Sequence, residues 1–261
     1  MRWVAAALAG LCASVVAVEA QPLTLAVTGE VLHADTIEVA GFRLRDVVAT
    51  PRTEAQELQF SDIQAKVYGG SATGIVGFHL AGSRIRARID VKDVDLDEIL
   101  KQRFGNPAGL VGKVSGWIAF AMPADRPDQI QGSGHLHIER ANLLQLPLLA
   151  VLLAGDPTAA RNQDVLDMPF TLKDGTLWIQ EAQLASPSAG IRFTGSIGID
   201  GSLNLALVPT FSFNLLDRIW GVGALVTPVL SLASSRLARA VLRGRLSEPV
   251  LVMDPFGTRG K

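Results

Sequence analysis

The 261-residue sequence has one cysteine, Cys12, one tyrosine, Tyr68, 6% aromatic residues and 19% charged residues. Each shortage removes a class of function. A single cysteine forms no intrachain disulfide, and it lies in a stretch that reads as a removable leader. Cleavage after Ala20 would leave no thiol for catalysis. Scarce aromatics leave no base-stacking platform. The balance of 24 basic and 25 acidic residues gives a net charge of −1, with no electrostatic footprint for nucleic acid. What is abundant is apolar: 48% of the residues are hydrophobic, enough to exclude disorder and to build a sizeable core.

The first twenty residues, MRWVAAALAGLCASVVAVEA, carry Arg2, an apolar run from Trp3 to Val18 and a small-residue end at Val18-Glu19-Ala20. This is the pattern of a secretory signal peptide. An uncleaved anchor is the second reading, and the run is short for one. Residues 21–57 read as weak strands followed by a polar loop, Ala49 to Glu57 (ATPRTEAQE).

From Leu58 onward the pattern sharpens. Ile85, Ala87, Ile89 and Val91 alternate with Arg84, Arg86, Arg88, Asp90 and Lys92. Period two of this purity predicts a strand with one wet and one dry face, in an antiparallel sheet. The three arginines read as a solvated face. Asp95 and Glu98 form a capping box before Leu96, Ile99, Leu100 and Phe104, which predicts a short helix. Asp174-Gly175 and Asp200-Gly201 punctuate further strands, with a bulge expected near Gln180-Glu181. The expected total is about ten strands and about three inserted helices: Asp95–Phe104, Pro147–Ala154 and Leu215–Leu242. The class is mainly β, or α+β with segregated elements.

Reactive constellations are scarce. His135 and His137 form an H-x-H on a strand, a geometry able to hold a transition metal once a third ligand is found; two wet-face polar residues is the plainer reading. Asp93-Val94-Asp95-Leu96-Asp97 lacks the glycine and distal glutamate of a calcium loop. Gly112-Lys113 lacks the Ser/Thr of a phosphate loop, and there is no G-x-S-x-G nucleophile turn. The expectation is a chain with no catalytic residues, metal or cofactor.

Four stretches carry a resemblance: LQFSDIQAKVYGGSATGIVGFHL with RARIDVKDVDLDEIL; GSGHLHIERANLLQLPLLAVLLAG; PFTLKDGTLWIQEAQLASPSAGIRFTGSIGIDGSLNLAL; and RGRLSEPVL. Together they resemble the C-terminal region of AsmA-like proteins over residues 58–253, leaving 254–261 as a tail. The resemblance implies a curved antiparallel sheet, open as an apolar trough, along which lipid acyl chains move. It implies a periplasmic, non-enzymatic lipid-binding or lipid-transfer module in outer-membrane biogenesis or envelope lipid homeostasis. AsmA-like proteins are usually far longer and anchored at the N-terminus, from which this chain departs. The expected lipid-facing residues are Leu177, Ile179, Ile191, Phe193, Ile197, Ile199, Leu203, Leu205 and Leu207. The uncharged stretch Ile219–Ser235 followed by Arg236, Arg239, Arg243 and Arg245 allows membrane-surface contact. The expected partner is a phospholipid or other acyl lipid. The alternative is a scaffold whose sheet edge docks a β-protein of envelope assembly.

Overall fold

The computed structural model describes residues 26–28, 31–39, 42–54, 56–79, 81–104, 109–143, 163–186, 189–198, 200–211, 239–245 and 248–254. They form one 14-stranded antiparallel sheet in which every strand pairs with its neighbour in sequence. The order is β1 (Ala26–Thr28), β2 (Val31–Val39), β3 (Phe42–Glu54), β4 (Glu57–Val67), β5 (Gly70–His79), β6 (Arg84–Asp95) and β7 (Lys113–Pro123). Then follow β8 (Gln131–Ala141), β9 (Asp164–Lys173), β10 (Thr176–Ala185), β11 (Ala189–Gly198), β12 (Ser202–Phe211), β13 (Arg239–Arg245) and β14 (Glu248–Asp254). The sheet is open, since β1 and β14 are not joined.

Among the described residues there is one α-helix, α1 (Leu96–Phe104), and one 3₁₀ turn, Pro127–Gln129. Of the three expected helices, Pro147–Ala154 lies outside the described residues. Leu215–Leu242 is corrected at its end, where Arg239–Leu242 belong to β13. The reason is periodicity: Ala240 and Leu242 alternate with Arg239, Val241 and Arg243, a period-two pattern that the apolar run before it obscures. The polar stretch 49–57 is also corrected, because β3 runs to Glu54.

Four of the sheet's irregularities share one cause. Asp46, Asp62, Asp93 and Arg140 have positive φ of 52–56° inside strands. Each sits where the register slips: between Arg45 and Val48, Phe60 and Ile63, Val91 and Val94, and Ile138 and Ala141. These are β-bulges, and aspartate tolerates the left-handed region better than most residues. A fifth, between Ile179 and Ala182, is the one expected from sequence.

Prolines are accommodated in the gaps of the ladders. Pro51 lies beyond Ala49, the last β3 residue paired with β2. Pro169 faces the slip between Ile179 and Gln183. Pro209 lies beyond Leu207, the last β12 residue paired with β13. At each place one side of the proline has no ladder partner, a setting in which strand proline is tolerated. The Asp174-Gly175 turn has φ of 49° and 67°, the backbone that two-residue hairpins need.

One face of the sheet is dry. A single core cluster extends from Val67 on β4 to Leu242 on β13 and takes in Leu96, Ile99 and Leu100 of α1. The helix is tied down at its start, where Leu96 N donates to Gly112 O at 3.0 Å. The chain after it is held by Asn142, whose Oδ1 accepts from Val111 N at 2.8 Å and whose Nδ2 donates to Gly109 O at 3.1 Å. Asp95, just before the helix, forms an ion pair with Lys113 Nζ at 2.6 Å.

A half-open apolar floor on β4 to β7

Eight of the nine residues expected to face lipid share one face of β10, β11 and β12. The register sets Leu177 against Ile197, Ile197 against Leu203, and Phe193 against Leu207. Ile199 lies outside the described residues. The other eight are only 1–7% exposed, so this part of the face is packed shut. Acyl contact there would require the core to open.

The open part lies on the earlier strands. Leu58 and Phe60 on β4, Val76 and Phe78 on β5, Ile85 and Ile89 on β6, and Ile118 and Phe120 on β7 are all partly exposed. The ladders bring them onto the same dry face: Leu58 faces Phe78, Phe78 faces Ile85, Phe60 faces Val76, and Ile89 faces Ile118. Phe60 and Phe78 meet edge to face with ring centroids 6.2 Å apart. Between Leu58 and Met122, the positions that alternate onto this face of β4–β7 carry only apolar side chains or glycine.

This patch has a closed end and an open end. At the end of β4 to β7 that meets α1, Val67, Ala72, Val94 and Val114 are buried together with Leu96, Ile99 and Leu100. At the opposite end Leu58, Phe78 and Ile85 are partly exposed, while Met122, paired with Ile85, is buried. Toward β8 the floor runs into the closed core through Gly134. A Cβ at Gly134 would lie against the Phe170 ring, so glycine makes room for that ring. The signal in the sequence was present, since these strands alternate as cleanly as the later ones. Alternation shows which side chains share a face, but not whether that face is covered.

The opposite, wet face gathers the polar groups. Arg84, Arg86 and Arg88 are exposed, as expected. Arg88 pairs with Asp90 at 3.3 Å and its guanidinium lies 5.0 Å from the Trp117 ring centroid. His135 and His137 project beside Asp167 of β9, which sequence reasoning missed because it is contributed by the next strand. His135 Nε2 lies 2.8 Å and His137 Nδ1 3.4 Å from Asp167 Oδ1. Among the described residues, no group of three His, Cys, Asp or Glu side chains is arranged to hold a metal ion. The two imidazoles share a carboxylate.

Arg243 and Arg245 are exposed on β13. Arg239 is the first residue of β13, and Arg236 lies outside the described residues. No described helix is long and apolar enough to cross a membrane. Two carboxyl groups are held below the usual carboxylate range, Asp46 by hydrogen bonding and charge from Lys66, and Asp200 by the Ser202 backbone N–H. Both lie away from the patch, whose chemistry is that of dry surface alone. No protein-family model, curated protein or solved structure matches this chain.

Proposed function

We propose that this chain is a periplasmic, non-enzymatic lipid-binding or lipid-transfer module of the AsmA-like type. In this reading it acts in outer-membrane biogenesis or envelope lipid homeostasis. The sheet forms a curved trough, and a phospholipid acyl chain lies on the floor of β4 to β7. The observation that carries this reading is the unbroken apolar composition of a half-open patch beside a closed core. Acyl chains need no directed donor or acceptor, only apolar area, and each buried CH₂ contributes about 0.8 kcal/mol. Contiguous apolar surface left open to solvent marks sites of binding. The bulges at Asp46, Asp62 and Asp93 supply the bends that turn a flat sheet into a trough.

Native mass spectrometry of the protein purified from cells tests it. The expected spectrum contains protein with a co-purified phospholipid. Phe60→Asp combined with Phe78→Asp should abolish the lipid-bound species while leaving the far-ultraviolet circular dichroism unchanged. A lipid-free mass for the unaltered protein under gentle extraction overturns the reading.

A further inference from the structure

The two edges of the sheet differ. β1 is three residues long, while β14 is seven and is paired on one side only among the described residues. Its interior, PVLVM, carries no charge. Val250 and Val252 are 56% and 48% exposed on the wet face, and Leu251 packs on the dry face against the core. Natural edges are ordinarily blunted by brevity, charge, proline or bulges; Pro249 stands near one end of β14, and the apolar run after it is a template for another strand.

We propose that a second copy of this chain docks antiparallel along β14, strand to strand, on a two-fold axis through Leu251. The choice of occupant follows from the register. Leu205 faces Leu242 and Leu242 faces Leu251, a leucine row that runs across the dry face and stops at the edge. A copy turned by the two-fold continues that row in reverse, Leu251 to Leu242 to Leu205. It also places Val250 against Val252 of the second copy twice over, burying the four exposed valines on the wet face. A contact of this kind is closed by symmetry at two chains. It is independent of the lipid reading, since the patch lies on β4 to β7.

Light scattering coupled to size exclusion tests it on the full chain. The expected mass is twice that of one chain. Val250→Lys combined with Val252→Lys places lysines opposite one another across the axis, and should halve the mass with unchanged circular dichroism. In a Cys12→Ser background, Leu251→Cys should cross-link to its own copy under mild oxidation, while Val165→Cys, exposed on the wet face of β9, should not. A single-chain mass for the unaltered protein, a double mass for the lysine variant, or absent cross-linking by Leu251→Cys each overturns the proposal.

Discussion

Ile191 and Phe78 occupy the same dry face and differ in what truncation should do. Ile191 is 1% exposed, so Ile191→Ala leaves a cavity and should cost about 2–5 kcal/mol in denaturant unfolding. Phe78 is partly exposed to water, and Phe78→Ala should cost less than Ile191→Ala, despite removing more atoms. Equal losses from the two would show that the patch is as closed as the core. At this scale the sequence was informative about sides and silent about cover. Ile191, Phe193, Leu203 and Leu205 could be assigned to one face from alternation alone. Their closure depends on what packs over them, which no local pattern encodes. The partner of His135 and His137 was equally hidden, because Asp167 reaches them only through the pairing of β8 with β9.

Strands and turns were legible where residue chemistry forces them. Asp174-Gly175 turns, Leu96–Phe104 is helical, and the bulge falls at Gln180-Glu181 as its slipped alternation implied. The stretch from Ala49 misled because polarity and Pro51 suggest a loop, whereas beyond Ala49 β3 pairs only with β4 among the described residues and tolerates both. Bulges at Asp46, Asp62, Asp93 and Arg140 left little trace, since a bulged residue breaks the alternation by one position only. Arg140 is the odd member, a long side chain with φ of 52°. Arg140→Val should destabilise the sheet by about 1–2 kcal/mol, because a β-branched residue fits the left-handed region poorly. Arg140→Gly, which fits it, should be near neutral. Chemical denaturation of the pair separates backbone strain from loss of the surface ion pair with Glu139, which both variants share. Equal destabilisation would assign the effect to that ion pair instead.

Across the whole molecule the core is uneven. The cluster on β4 to β13 is continuous, whereas β2 and β3 contribute a separate small one built on Ala34 and Val47, with Ala65 of β4. Hydrogen exchange followed by mass spectrometry should therefore find the slowest amides in β9 to β12 and the fastest in β1 to β3. Uniform protection would contradict a graded core. Fourteen strands at about 4.8 Å spacing give a ribbon roughly 60 Å measured across the strands. The order of its strands has a consequence for how the ribbon is made. All-β proteins usually fold slowly because early segments must wait for distant ones. Here each hairpin finds its mate in the segment synthesised immediately before it, so assembly can advance like a zip behind a narrow exit pore, and little unpaired greasy chain need accumulate along the way.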